Sequence, residues 1–508
     1  MNDNKRIAKN TMFLYFRMLL SMVVSLYTAR VVLNALGASD YGLYNVVGGV
    51  ITILSVLTVL VSSGTQRFLN YEMGQDAHIS RLKEIFTASL TIYFIIYVII
   101  FVLAETVGLW FVNTKLVIPT DRLFAANVVY QLTIIQMLLS FIQSTYTSAI
   151  LAHERMDIYG YVGVGEPLLR LMLISLLPFC GFDKMTAYSL IVFIMGSCVT
   201  AFYIYFCRKN FDECRFQISR NITQIKKMLS FTVWNLLEAL SNTLSGQGLN
   251  ILLNLFFGPV VNAARAIAFQ VNNAVHGFAS NFLIAMYPQI TKNYAAGNMK
   301  DYYNLMIRGG KFAFIVLSVL MIPILINAEH ILTLWLKNPP ENSALFVILV
   351  LISELIRMTS EPLYTGIQAT GNIKKYQIVT NVVSLLNLPI SYILLKVFKE
   401  PTIVFYTTIC ISVLFVWSRM FFIHKLTAFP SCKYAAMLLF KCIFPFFIAY
   451  IPMLLLNSLL TTDFYSFIIV SVITICWTCL IFYFVSFNKQ ERSIILGLIF
   501  KKNGKNGN

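Results

Sequence analysis

Apolar runs long enough to cross a bilayer recur from end to end of this 508-residue chain, and nothing else in the sequence restricts its fold as strongly. About 20 apolar residues in a row span the hydrocarbon core as a helix. Runs of that kind lie at 11–36, 43–64, 85–112, 123–151, 159–178, 185–207, 228–257, 259–287, 312–336, 343–369, 376–398, 401–424, 435–460 and 463–487. With lipid outside, every backbone N–H and C=O must be paired internally, which leaves helices or a closed barrel. Continuous apolar runs without period-2 alternation favour helices. Charged residues make up only 12% of the chain, against about 25% in soluble domains, so a soluble fold is excluded. The expected fold class is all-α: a polytopic membrane protein of about fourteen transmembrane helices.

A formal charge of +17 would suggest nucleic acid in a soluble chain. The placement of the charges argues against that partner. When the connecting segments are sorted alternately, the group that includes both tails holds 27 of the 39 Lys and Arg. The opposite group holds six (Lys115, Arg122, Lys184, Lys337, Lys396 and Lys399), and six Arg fall within spans. Cytoplasmic segments carry the excess of Lys and Arg, so both tails are expected in the cytoplasm. Lys5, Arg6 and Lys9 precede a first run too long for a signal-peptide core, which reads as an uncleaved first helix.

The chain matches itself at an offset of about 220 residues, a self-similarity of the kind internal repeats produce. Ala104-Glu105 followed by Trp110 recurs as Ala328-Glu329 followed by Trp335. Tyr146-Thr147 then Tyr159 recurs as Tyr364-Thr365 then Tyr376, while Gly37 pairs with Gly258 and Tyr71 to Gly74 with Tyr294 to Gly297. Together and in order these matches predict two six-helix lobes, 1–220 and 221–432, followed by an extra helix pair and basic tail over 433–508. Each lobe begins on the same side of the membrane, which is the parallel-repeat arrangement of secondary transporters with a central cavity.

Ten ionisable residues fall well inside spans: Arg17, Arg30, Glu166, Arg170, Glu238, Arg265, Glu354, Arg357, Glu361 and Arg419. At roughly 3 kcal/mol each against lipid, they would together cost on the order of 30 kcal/mol, so most must face protein or a watery cavity. Glu166 and Arg170 are four apart, and Glu354, Arg357 and Glu361 follow three-and-four spacing, so each set shares a helix face and can pair within its own helix. Such sets serve either as structural ion pairs or as cavity lining. Glu238 has no partner within four positions and is the candidate proton or cation coupling site, with Glu166 and Glu354 beside it as further ion-coupling candidates. Arg17, Arg30, Arg265 and Arg419 lie one to two turns from span ends, where a long side chain can snorkel to the headgroups. Turned inward, they would make a cationic cavity suited to a phosphate-bearing or acidic substrate.

Enzymatic chemistry is not expected. The closest approach to a nucleotide-binding loop, Gly309-Gly310-Lys311, lacks the upstream glycine and the hydroxyl residue. The five histidines (His78, His153, His276, His330 and His424) and nine cysteines show no metal-ligand or disulfide spacing, so neither a metal nor another cofactor is expected. Cys476 and Cys479 sit in an apolar run as small core residues. A membrane-embedded glycan polymerase or ligase would want a large outer loop, and the outer connections here are short.

The stretch Arg30-Val-Val-Leu-Asn-Ala-Leu-Gly37-Ala-Ser-Asp40-Tyr41-Gly42-Leu-Tyr44, followed by Gly64-Thr-Gln-Arg67-Phe, resembles the opening of Wzx-type polysaccharide flippases. These belong to the multidrug/oligosaccharidyl-lipid/polysaccharide (MOP) exporter superfamily, which is MATE-like in fold. Physically, Gly37 can end the first helix in a left-handed cap and Ser39 or Asp40 can cap the second. The resemblance implies a flippase of the bacterial inner membrane that moves polyprenyl-diphosphate-linked oligosaccharide between leaflets by alternating access. It implies membrane lipids, an H+ or Na+ coupling ion and polysaccharide polymerases as partners. Arg17, Arg30, Arg170, Arg265 and Arg357, assigned by depth and charge, would then contact the diphosphate or an acidic sugar. The same superfamily contains cation-coupled drug antiporters, usually of twelve helices. The extra pair at 435–487 and the excess of intramembrane Arg favour the flippase, whereas Glu238 favours the antiporter.

Overall fold

The computed structural model describes residues 3–73, 79–153, 155–214, 222–284, 286–459, 464–489, 491 and 492. Side chains are described throughout these stretches except at 3–18, 54–64, 66–68, 70–73, 156, 222–239, 281, 282, 284, 288, 459 and 464–466. The described residues form helices and no strand, and the chain is a multi-pass membrane protein.

Eighteen α-helices follow one another among the described residues: α1 (Asp3–Met73), α2 (Ile79–Leu103), α3 (Leu109–Thr114), α4 (Leu123–Ala152), α5 (Met156–Ser175), α6 (Lys184–Asn210), α7 (Ile222–Phe257), α8 (Pro259–Ile284) and α9 (Tyr287–Ala295) come first. Then come α10 (Met299–Ile326), α11 (Ala328–Leu336), α12 (Ser343–Thr359), α13 (Glu361–Ala369), α14 (Lys374–Phe398), α15 (Ile403–Thr427), α16 (Ser431–Leu438), α17 (Phe444–Leu459) and α18 (Phe464–Ile481). Single π-turns continue α2 into α3 (Ala104–Gly108), α16 into α17 (Leu439–Ile443) and α18 to its end (Phe482–Ser486). Eleven stretches of the described residues are long and apolar enough to cross a membrane. The remaining expected spans, 43–64, 228–257 and 259–287, fall on the second half of α1 and on α7 and α8. The first two run through many undescribed side chains, and α8 carries Asn262, Arg265, Asn272 and His276.

Gly37 does not end the first helix in a left-handed cap. It joins two helical runs, 3–36 and 38–73, at φ 78° and ψ 169°, a conformation that only glycine adopts without strain. Gly258, its match in the repeat, has the same φ of 78° between α7 and α8. Asp40 contributes an ion pair at this junction, described below.

The chain divides into two compact units. The first comprises Met1–Ile267, Asn338–Glu341 and Ser384–Pro401; the second comprises Ala268–Lys337, Asn342–Val383 and Thr402–Asn508. In the first unit, the second half of α1 lies directly against the start of α8. A Cβ added at Gly42 would stand 1.7 Å from the Pro259 carbonyl oxygen, so this close approach requires glycine. Asn262 Nδ2 donates to the Asn250 carbonyl and side chain at 2.6 and 2.8 Å, and Asn254 Oδ1 accepts from Val117 N at 3.0 Å. Buried amides thus bond to one another where lipid-facing positions are apolar, such as Phe124 and Phe179. In the second unit, α10 packs on α12 and on the last helix pair, with Ile322, Ile326, Ala449 and Met453 forming a buried cluster.

Candidate functional site

Each unit holds its own group of charges at membrane depth. In the first unit, Glu166 and Arg170 lie one turn apart on α5, and Arg170 Nη2 donates to Glu166 Oε1 at 3.1 Å. Their side chains are 31% and 35% exposed, so the pair is half open rather than sealed. This is the pairing expected from four-residue spacing. Arg170 Nε is buried and has no hydrogen-bond partner among the described residues. The same guanidinium is within electrostatic reach of Tyr44 on α1 and Tyr188 on α6, whose rings meet edge to face at 4.7 Å. A half-exposed guanidinium beside this hydrogen-bonded phenol pair can bind an anion.

Arg30 is half-buried on α1 and makes no ion pair among the described residues. Arg265 does not snorkel: it is 8% exposed on α8 and donates through Nη2 to the Gly246 carbonyl of α7 at 2.9 Å. Of Arg17 and Glu238, the side chains lie outside the described residues.

Where the first unit approaches its helix starts, Arg122 bridges Asp40 at 3.0 Å and Asp183 at 2.6 Å. Asp183 also caps α6, accepting from Thr186 N at 2.9 Å and from its hydroxyl at 2.8 Å. Burial pushes the Asp183 carboxyl up, but these donors and the Arg122 charge outweigh it and leave the group below its usual value. At another corner of the unit His153 Nε2 pairs with Glu213, and the imidazole stacks on Phe211 at 3.9 Å. Burial raises the Glu213 carboxyl, while the bond with His153 more than compensates and holds it below its usual 4.5.

The second unit contains two further clusters. Glu354 on α12 is 7% exposed, and His276 Nδ1 on α8 lies 2.7 Å from its Oε1. Asn272, one turn before His276, also hydrogen-bonds the carboxylate. Arg357 is exposed three residues further along α12 and acts on Glu354 electrostatically. A buried carboxylate against an imidazole and an amide can hold or pass a proton, or bind a small cation.

The three-and-four spacing of Glu354, Arg357 and Glu361 suggested one shared face, and the structure corrects this. The helix breaks at Ser360, between α12 and α13, so Glu361 leaves that face. Its partner is Arg419 on α15, with Nη1 2.9 Å from Glu361 Oε1. Arg419 also donates to Tyr376 Oη at 3.0 Å and Ser360 Oγ at 2.9 Å, and its guanidinium lies 5.2 Å from the Tyr364 ring centroid. At 7% exposure it does not reach the headgroups as its place near a span end suggested. Its Nε and Nη1 are taken by partners on three other elements of the fold, which makes this cluster a structural joint.

Sequence reasoning missed His276, Asn272, Tyr44 and Tyr188. His276 lies 78 residues from Glu354, and no local spacing announces the pair. Among the described residues no group of three or more His, Cys, Asp or Glu could hold a metal.

The family described as Polysaccharide biosynthesis protein matches residues 5–294, and the family described as MatE matches residues 235–393. No curated protein matches the chain. Among solved structures, "Lipid II flippase MurJ, inward closed conformation" is similar at TM-score 0.67 and 11% identity, covering 97% of this chain and 99% of that one. An inward-facing multidrug resistance MATE family transporter of the MOP superfamily is similar at TM-score 0.66 and 14% identity, covering 81% and 99%. A MOP superfamily transporter from Pyrococcus furiosus, whose title reports a binding pocket of reversed polarity, is similar at TM-score 0.57 and 16% identity, covering 82% and 96%. At these identities the likeness is one of fold.

Proposed function

The chain belongs to the Polysaccharide biosynthesis protein family, and on that premise we propose that it flips polyprenyl-diphosphate-linked oligosaccharide across the bacterial inner membrane by alternating access. The fold is that of MOP-superfamily transporters and flippases. The observation that carries the reading is the half-open Arg170, held by Glu166 through one nitrogen, with the Tyr44–Tyr188 pair within reach of its charge. A diphosphate offers the charge that Arg170 and Arg30 would receive. In this reading Arg17, Arg265 and Arg357 add positive potential along the route, residues 1–220 and 221–432 act as two lobes, and 433–508 is an appended helix pair and tail. The basic segments face the cytoplasm, where the substrate is loaded. Glu354 with His276, together with Glu238 and Glu166, supplies the coupling to H+ or Na+. Partner polymerases would receive the flipped repeat unit.

The test is deletion of the gene in its native host. Loss of a surface polysaccharide with accumulation of its lipid-linked repeat unit on the cytoplasmic leaflet is the expected result. Rescue by wild type, and failure of rescue by well-expressed Arg170→Ala, places Arg170 on the route; full rescue by that variant returns it to structural pairing. A second reading, a cation-coupled drug antiporter, is favoured by the buried Glu354–His276 pair. Unchanged glycan with new sensitivity to cationic drugs would make it the working reading.

A further inference from the structure

The last helix pair ends in a concentration of positive charge that the transport reading does not use. Its two π-turns, Leu439–Ile443 and Phe482–Ser486, pack against each other in the second unit. Helix ends of this kind leave backbone carbonyls without helical donors, and cationic side chains take them here. Lys311 of α10 donates through Nζ to the Ser486 carbonyl at 3.3 Å. Arg492 folds back over the same end, with Nε donating to the Phe487 carbonyl at 3.1 Å and Nη2 to the Phe484 carbonyl. Its guanidinium lies 5.6 and 5.9 Å from the Tyr483 and Phe484 ring centroids. Lys441, in the first π-turn, donates to Asn488 Oδ1 at 2.7 Å. Lys489 is exposed next to Asn488, and Arg308, exposed three residues before Lys311 on α10, is within electrostatic reach of Glu491.

These five cations meet one carboxylate, and it is already committed. Lys311 Nζ donates to both Glu491 oxygens at 2.7 and 2.6 Å, and the pair is buried. Arg308, Lys441, Lys489 and Arg492 make no ion pair among the described residues. The sequence after Arg492 adds Lys501, Lys502 and Lys505 and no Asp or Glu. Like charges gathered in this way repel, and an anion from outside the chain relieves the repulsion. The cluster lies where a membrane meets water. The apolar stretch of α18 ends at Ser486, just before Asn488 and Lys489. Ser431–Ser458 has 28 residues, more than the about 20 that cross the hydrocarbon, so its first turns stand outside and Lys441 lies level with Asn488. Phe440 and Phe484 flank the cations at 70% and 62% exposure, in the manner of aromatic side chains at the lipid boundary.

We propose that this end of the last helix pair is a binding site for the headgroup of an anionic phospholipid, with Arg308, Lys441, Lys489 and Arg492 around the phosphate and the acyl chains along Phe440 and Phe484. A free phosphate would satisfy the cations and leave the two rings in water, whereas a phospholipid satisfies both. A zwitterionic headgroup carries its own ammonium, which four uncompensated cations repel, so the site selects lipids of net negative charge. The bound headgroup joins α10 to the last helix pair on the water side of the buried Lys311–Glu491 contact. No part of this depends on the transport reading.

Native mass spectrometry of the purified full-length protein, offered equal amounts of phosphatidylglycerol and phosphatidylcholine, reads the selectivity. Wild type is expected to retain several-fold more phosphatidylglycerol, and Arg308→Gln/Lys441→Gln/Lys489→Gln to lose that preference at an unchanged melting temperature. The control Lys292→Gln/Lys375→Gln/Lys425→Gln removes the same charge from exposed positions elsewhere in the unit and is expected to keep it. Equal retention of the two lipids by wild type overturns the site. So does an equal loss in the control, which would mark only the general positive potential of the basic segments. Inorganic phosphate that displaces the lipid at an ionic strength where chloride does not overturns the lipid assignment. Should the triple variant not fold, Arg308→Gln and Lys489→Gln must each lower the preference singly, and an unchanged preference in both counts against the site. No arm contains a polyprenyl lipid, so failure of the flippase reading leaves every outcome interpretable.

Discussion

In the first unit Arg170 finds its carboxylate one turn away on its own helix, whereas in the second Arg419 finds Glu361 on another helix, 58 residues away in sequence. The first pair is about one-third exposed; the second is 9% and 17% exposed and is closed by Tyr376, Ser360 and the Tyr364 ring. Both are arginine–glutamate pairs at membrane depth, yet their surroundings set different roles. The sealed pair commits Arg419 Nε and Nη1 to the fold. A half-open one keeps donors that a substrate can reach, at little cost to stability.

The sharpest way to break this comparison is to remove one partner of the sealed pair. Glu361→Gln or Arg419→Met leaves a buried charge without its counterion and is expected to destabilise the protein by about 3–5 kcal/mol. Thermal unfolding in detergent measures it, and a melting temperature equal to wild type would show that the joint is not structural. Next in size is His276→Ala, which removes the ring from the buried Glu354 carboxylate. A loss of about 2 kcal/mol is expected for a hydrogen bond to a charged group. If Glu354 is a coupling site, the same variant shifts the pH dependence of transport, whereas a purely structural bond would change stability alone.

In the half-open pair, Arg170→Gln is expected to change stability by less than about 1 kcal/mol while transport of the lipid-linked substrate falls severely. A stability loss as large as that of Arg419→Met would erase the distinction between the two regions. The smallest effect concerns Glu213, which lies outside the spans. Its carboxyl titrates lower folded than unfolded, so its contribution is complete above the ordinary value of 4.5 and is lost as pH falls through the folded value. The acid limb of the melting-temperature profile should flatten in Glu213→Gln, and an unchanged limb would remove His153–Glu213 as its source.

The legibility of the site followed the distance between partners. Glu166 and Arg170 could be paired on sight, because a helix brings residues four apart together whatever surrounds it. Gly37 and Gly258 could be matched as turns, though not given their backbone angles. Arg419 misled, since its depth near a span end was visible and the rotation of α15 that turns it toward Glu361 was not. The same holds for His276, which looked like one of five scattered histidines until α8 met α12.

By itself the sequence determined that the chain is a helical, multi-pass membrane protein, because lipid forbids unpaired backbone and the apolar runs are of spanning length. It also determined which charges lie at membrane depth, since depth follows from position along a span. Only the tertiary structure decided which of those charges are sealed and which stay open. That choice depends on the rotation and mutual packing of helices far apart in sequence, and hydropathy, which averages over a helix's circumference, carries no record of it.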